Sequence, residues 1–264
     1  MRVQVVLTPA GFARRDLDGC AAVVVDVIRA TTSVVAACAA GCRRVIPVSD
    51  PEAARACAAR LPAGEALLAG ERGGEPIPGF DLGNSPLEYV PARVRGRTIV
   101  LTTTNGTATM VLASRAPVAA VAALTNIDAA ARWARAQRRD VVVLCSGEQG
   151  DFCLEDAVAA GFLVEGMARE GPGLELADAA IAARRLAGHY APALRSLIDD
   201  SAWARRLVSR GRLADVEACL AVGVETEVPV FRDGAIVPGA GALTSLEAAT
   251  HNVRGRRTGP EPTR

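Results

Sequence analysis

The sequence predicts an α/β fold, and three observations carry that prediction. Short β-branched runs alternate along the chain with Ala-rich stretches of helical period. The runs are continuously apolar rather than alternating, as expected of strands in a largely parallel or mixed sheet covered on both faces. The helical stretches also carry start signals at their amino ends.

Taken in order, Val3–Leu7 and Ala22–Val27 read as the first two strands, because Val fills most of both. Thr31–Ala40 follows as a helix, free of Gly and Pro until Gly41 ends it. Arg44–Val48 is a third strand. Pro51–Arg60 is a helix whose start is marked by Ser49, Asp50 and a proline at its first position. Ala66–Ala69, Arg97–Thr102, Val118–Ala123 and Val141–Cys145 are further apolar runs of strand length, and Thr107–Ser114 and Ile127–Gln137 are the helical stretches among them. Asn126 stands where the second of those helices needs a cap. Leu154–Glu170 and Leu174–His189 read as longer helices, Ala191–Gly223 as several shorter ones, and Glu227–Phe231 as a last strand. Gly70–Pro91 breaks the rhythm: it is rich in Gly and Pro and holds no period. A structureless loop of about 20 residues inside a compact domain is uncommon and usually functional.

Composition excludes whole classes of chemistry. The 30 basic and 29 acidic residues leave a formal charge of +1, which argues against nucleic-acid binding by bulk charge. All the basic residues are Arg, so a Schiff-base lysine, a P-loop lysine and a lysine general base are absent together. The two histidines, His189 and His251, cannot build a three-His zinc site or a His-Glu-x-x-His helix. Seven cysteines, odd in number and never spaced Cys-x-x-Cys, read as reduced thiols of a cytoplasmic protein with no signal peptide. The longest apolar runs fall short of the ~20 residues that span a bilayer, so no membrane partner is expected.

Three junctions stand out where a strand runs through a polar turn into a helix: Asp26 to Thr32, Thr102 to Thr107, and Cys145 to Gly150. In open α/β sheets the carboxyl ends of strands form the ligand crevice, and free N–H groups at the following helix starts favour an anion. A Thr before a helix is ordinarily a cap, and Asn105–Gly106 fits an ordinary turn; convergence of all three junctions is what makes a site. Asp26, Glu71, Asp81, Glu155 and Asp156 supply hard oxygen ligands near these turns, a set that suits Mg²⁺ or Mn²⁺. Magnesium keeps several waters and takes one or two carboxylates, which leaves others free to handle protons. Cys145 ends a strand as a cysteine-phosphatase nucleophile would, but that chemistry uses Cys-x₅-Arg and Asp151 occupies the arginine's place, so Cys145 reads as a structural thiol.

Asp26-Val-Ile-Arg29-Ala-Thr-Thr32, Gly70-Glu-Arg72, Gly79-Phe-Asp-Leu-Gly-Asn-Ser-Pro86, Thr103-Thr-Asn-Gly-Thr107 and Leu154-Glu-Asp156 followed by Ala160-Gly161 resemble the 2-phosphosulfolactate phosphatase family, Mg²⁺-dependent enzymes of coenzyme M biosynthesis. Asp215-Val-Glu-Ala-Cys-Leu220 and Val228-Pro-Val230 fit its C-terminal part. The chain departs from the pattern at Cys153, where a Ser is expected, and in having no Lys. The resemblance implies a three-layer α/β/α homodimer that hydrolyses the phosphate monoester of a small sulfonated or carboxylated hydroxy acid. Residues 1–240 then form a single α/β domain, or two α/β lobes; separately, 250–264 is basic, carries Pro and Gly and is poor in apolar residues, and so reads as a disordered tail, with nucleic-acid binding as the alternative.

On that implication Asp26, Glu71 and Asp81 are the metal candidates, and Asp26, Glu155 and Asp156 the catalytic ones. Arg29, Thr31, Thr32, Arg72, Asn84, Ser85, Asn105, Gly106, Thr107, Ser146 and Gly147 are the substrate-binding candidates. Direct attack by water is favoured over attack by Asp26 itself, because Ile28 stands where the Asp-x-Asp of aspartyl phosphatases has its second carboxylate. A non-catalytic anion-binding or sensor protein is the alternative; its weakness is that an anion binder gains nothing from several nearby carboxylates without a metal.

Overall fold

The computed structural model describes residues 1–14 and 16–239; the expected tail at 250–264 lies outside the described residues. The strands are β1 (Arg2–Val6), β2 (Ala21–Val25), β3 (Arg44–Pro47), β4 (Ala66–Arg72), β5 (Glu75–Pro76), β6 (Thr98–Thr102), β7 (Val118–Ala122), β8 (Val141–Cys145), β9 (Glu175–Leu176), β10 (Val230–Arg232) and β11 (Ala235–Val237). The α-helices are α1 (Ala30–Ala39), α2 (Pro51–Ala58), α3 (Pro91–Val94), α4 (Gly106–Ala113), α5 (Ile127–Ala136), α6 (Leu154–Arg169), α7 (Asp178–Tyr190), α8 (Leu197–Asp200), α9 (Ala202–Ser209) and α10 (Leu213–Cys219).

All described strands join one mixed sheet in the order β5-β4-β6-β3-β11-β10-β7-β2-β8-β1-β9. Two parallel blocks, β4-β6-β3 and β7-β2-β8-β1-β9, are stitched together by the antiparallel hairpin β10–β11, which meets β7 and β3 through single-residue bridges. The central strands β2 (AAVVV) and β8 (VVVLC) are buried at every position, which explains their unbroken apolar sequences. Their side chains still alternate between faces. Val23 and Val25 pack with α5, α6 and α7, whereas Ala22 and Val24 pack with α1 and α4. The result is three layers, α/β/α.

Local chemistry sets the helix starts, not always as the sequence suggests. Asp50 caps α2 by accepting from Ala53 N at 2.8 Å, with Pro51 at the first position. Asn126 does not cap α5. It is fully buried, accepting from Ala123 N at 2.9 Å and donating to Glu227 O at 2.9 Å, so it ties the β7–α5 turn to the C-terminal segment. Strands β5, β9 and β11 were not expected, and two of them are only two residues long, too short to show a period. The irregular segment begins later than its Gly and Pro content implies, because β4 continues to Arg72 and puts Glu71 on a strand. Among the described residues no helix is long and apolar enough to cross a membrane.

Candidate active site

The carboxyl ends of β2, β6 and β8 open onto one cleft. Asp26, Ile28 and Arg29 reach it from the β2–α1 turn, and Thr103, Thr104 and Asn105 from the β6–α4 turn. Gly147, Glu148 and Gln149 enter from the β8–α6 loop, with Cys153 and Asp156 beside them; Glu71, Gly73, Asn84 and Trp203 complete the wall. Strands β2 and β6 lie in different blocks of the sheet. They meet because α4, which leaves β6, packs back onto β2.

That approach is close. A Cβ on Gly106, the first residue of α4, would stand 2.5 Å from Asp26 Oδ2 and 2.7 Å from Ala30 Cβ. Position 106 therefore demands glycine for space, not for a left-handed backbone. Gly106→Ala is expected to push α4 off Asp26 and reduce turnover by about a hundredfold or more, with a much smaller change in Tm; a steady-state assay beside a thermal melt checks this.

The carboxylates crowd one another. Asp26 Oδ1 accepts from Ala30 N at 3.2 Å, and among the described residues no hydrogen bond reaches Oδ2. Burial, with Glu71, Glu155 and Glu148 nearby, pushes the Asp26 carboxyl up to about 7. Asp156 accepts from Val27 N at 2.8 Å and from Gly147 N at 3.1 Å, which joins the β2 and β8 turns. Burial, followed by the charges of Asp26 and Glu155, raises its carboxyl well above the usual range. Glu148 accepts from Asn105 Nδ2 at 2.8 Å, and burial raises it as well. Glu155 is 1% exposed; among the described residues its carboxyl oxygens take no N–H or hydroxyl hydrogen bond, and the Cys153 thiol lies beside them.

Glu71 is tied down on both oxygens. It accepts from Thr104 N and Gly74 N, each at 2.7 Å, and from Thr104 Oγ1 at 3.2 Å. Asn105 does not cap α4: its Oδ1 accepts from Gln149 N at 3.0 Å while its amide holds Glu148. The start of α4 is held instead by Thr103, whose Oγ1 accepts from Thr107 N at 3.1 Å.

Several expected residues do other work. Asp81 is exposed and absent from the cleft wall; its carboxylate accepts from Leu68 N at 2.8 Å and pins the loop to β4, so it is corrected from metal candidate to loop anchor. Arg72 points the other way, donating to Thr102 Oγ1 at 2.9 Å and to Glu71 O at 2.7 Å. The Thr31 and Thr32 hydroxyls donate to Asp26 O and Val27 O, at 2.8 and 2.7 Å, and Thr107 pairs with Thr103; these three hold the turns rather than line the cleft. Ser85 donates to Asp215, and Ser146 is buried with its Oγ unpartnered. Cys145 is fully buried, and burial and Asp156 push its thiol well up, the opposite of a nucleophile.

Glu148, Gln149, Asp215 and Trp203 were not singled out as site residues. Glu148 and Asp215 lay inside stretches already noted for their pattern. Trp203 gave no signal, because an aromatic residue on a C-terminal helix reads as core.

A family model described as 2-phosphosulpholactate phosphatase matches residues 6–234. A protein of Symbiobacterium thermophilum named "Probable 2-phosphosulfolactate phosphatase" is 40% identical over 222 residues, covering 84% of this chain and 95% of the relative. Similarly named proteins of Gloeobacter violaceus (40% over 230 residues; 87% and 94% covered) and of a Synechococcus strain (43% over 178 residues; 66% and 73% covered) match as well.

Proposed function

The chain belongs to the 2-phosphosulfolactate phosphatase family, and from that premise we propose that it hydrolyses the phosphate monoester of a small sulfonated or carboxylated hydroxy acid, 2-phosphosulfolactate first among them. The observation that carries this reading is the single cleft at which the ends of β2, β6 and β8 converge, with the start of α4 beside Asp26. Such an arrangement sets N–H groups and a helix dipole against an anion while crowding carboxylates nearby, a combination that suits a phosphate ester carried with a cation.

The donor set fits a hard divalent cation, Mg²⁺ or Mn²⁺. Among the described residues Glu155 has two buried oxygens free of N–H and hydroxyl donors, and Asp26 Oδ2 takes no hydrogen bond. Among the described residues no group of three or more His, Cys, Asp or Glu side chains is arranged to hold a metal. An ion that keeps several waters and needs one or two carboxylates does not require one. Asp26, on the cleft wall, would hold it, with Glu155, close to Asp26 but not itself on that wall, as the second carboxylate; when bound it would neutralise phosphoryl oxygens and lower the pKa of a water.

The protein's own groups supply the rest. Arg29 lines the cleft and takes an anionic group of the substrate through its forked donors. The N–H groups at the start of α4 other than Thr107 N, which Thr103 takes, hold the phosphoryl oxygens. Asp156, whose carboxyl is raised by burial and by its acidic neighbours, lines the cleft and acts as general acid. Water adds to phosphorus, the ester P–O bond breaks with its electron pair passing to the leaving alkoxide, and that alkoxide takes the Asp156 proton; the added water loses one proton as phosphate forms, and this proton restores Asp156 for the next turnover.

The test is phosphate release from 2-phosphosulfolactate, phospholactate and an aryl phosphate, with and without Mg²⁺. Metal-dependent release that is fastest for the sulfonated ester is expected. Absence of release from any of the three with any divalent metal would favour the non-catalytic anion binder.

A further inference from the structure

Arg29 is the only cationic side chain among the described residues that line the cleft, yet it is 3% exposed and already committed. Its Nη1 donates to Asp215 Oδ2 at 2.7 Å, and its Nη2 donates to Gly74 O at 2.6 Å. Asp215 lies on α10, 186 residues further along the chain, and does not itself line the cleft. Its second oxygen accepts from Ser85 Oγ at 2.6 Å, so this carboxylate is fixed from two sides. The same C-terminal helical segment fixes the turn just ahead of Arg29, because Trp203 Nε1 donates to Ile28 O at 2.7 Å.

A buried ion pair is weak as a source of stability, since the cost of desolvating both charges offsets much of their attraction. A guanidinium has five N–H donors, and the two bonds named here leave the others for a ligand. What the pair does accomplish is orientation: with two edges held, the guanidinium plane on the cleft wall is fixed.

We propose that Asp215 is a positioning residue for Arg29, holding the guanidinium so that its remaining N–H groups meet an anionic group of the substrate. This rests on the reading of the cleft as a phosphate-ester site. Asp215 touches no reacting atom; it acts through Arg29 alone, and Ser85 acts through Asp215. Removing the carboxylate leaves the cation in place but frees it to turn, so ground-state anion binding weakens more than the chemical step.

The experiment measures inorganic phosphate binding by calorimetry in the wild type, Asp215→Asn, Arg29→Met, the double variant and Ser85→Ala, together with kcat and KM for 2-phosphosulfolactate. Asp215→Asn is expected to weaken phosphate binding about tenfold and to raise KM by a similar factor, with kcat changed by less than about threefold. In the Arg29→Met background the same substitution should change phosphate affinity by less than about twofold, because the two residues act as one unit. Ser85→Ala, the milder change, should weaken binding by about threefold and keeps the test open if Asp215→Asn fails to fold. Equal losses in both backgrounds, or unchanged affinity in both Asp215→Asn and Ser85→Ala, would overturn the proposal. A wild type that shows this coupling but turns over no phosphate ester sinks the phosphatase reading and leaves the Arg29–Asp215 assignment standing. One that turns over esters without the coupling does the reverse, and one that binds no phosphate contradicts both.

Discussion

Asp26→Asn is expected to leave a folded protein whose phosphate release is about a thousandfold slower than that of the wild type. The reason lies in the position of its carboxyl group. Oδ1 holds the start of α1 through Ala30 N, while Oδ2 faces the start of α4 with no hydrogen bond. Asparagine keeps the size of the side chain and loses the charge that a cation would meet there. Stability should move the other way. The Asp26 carboxyl titrates at about 7 in the folded protein against an ordinary value of 3.8, so the native state binds this proton more tightly than the unfolded chain. The stabilisation this provides is complete below pH 3.8 and is lost as pH rises through about 7. The metal-free wild type should therefore lose Tm between about pH 4 and 7, and Asp26→Asn should flatten that decline. Thermal melts across this range in the presence of a chelator, beside a phosphate-release assay, measure both effects. A variant with near-wild-type turnover would remove Asp26 from the chemistry.

Glu155→Gln tests the buried side of the same cluster. A carboxyl group at 1% exposure with no N–H or hydroxyl donor among the described residues, and only the Cys153 thiol beside it, is costly to the fold unless something comes to it. In the wild type, Mg²⁺ at a hundred times its Kd should add about 2.7 kcal/mol, which for a domain of this size is roughly a 5–10 °C rise in Tm. In Glu155→Gln the metal-free Tm should be higher than in the wild type, the Mg²⁺-induced rise should shrink to about 1 °C or less, and turnover should fall about a hundredfold. Differential scanning calorimetry with and without Mg²⁺ reads the first two effects independently of activity. A Mg²⁺ response of wild-type size in this variant would move the cation to other residues.

Much of the fold was legible because its central strands are buried on both faces and so read as unbroken apolar runs; Ala21–Val25 and Val141–Cys145 are the plainest cases. The convergence of three strand–turn–helix junctions could also be anticipated, since each placed Thr, Asn, Ser or Gly where a strand ends. Strand order could not be anticipated. It depends on the hairpin β10–β11, whose strands are three residues each and whose entry between the two parallel blocks is a long-range pairing. The same limit explains Asp81. Its neighbours Gly79, Gly83 and Asn84 gave it the look of a site residue, but whether a loop carboxylate turns inward or pins a strand edge depends on the register between Leu82 and Ala69. Glu71 illustrates the intermediate case: the residue type was informative and its place in the cleft was found, but three hydrogen bonds to the Gly74 and Thr104 segments give it a holding role that no local pattern encodes. Asp215 shows the converse, an acidic residue on a short helix whose importance appears only when Arg29 is found against it.

The most direct measurement is a crystal structure of the protein grown with Mg²⁺ and inorganic phosphate. The account predicts a cation about 2.1 Å from an oxygen of Asp26, with phosphate in the same cleft between the start of α4 and Arg29. Phosphate bound elsewhere on the molecule, with Asp26, Asn105 and Arg29 unchanged and no ion beside them, would contradict it.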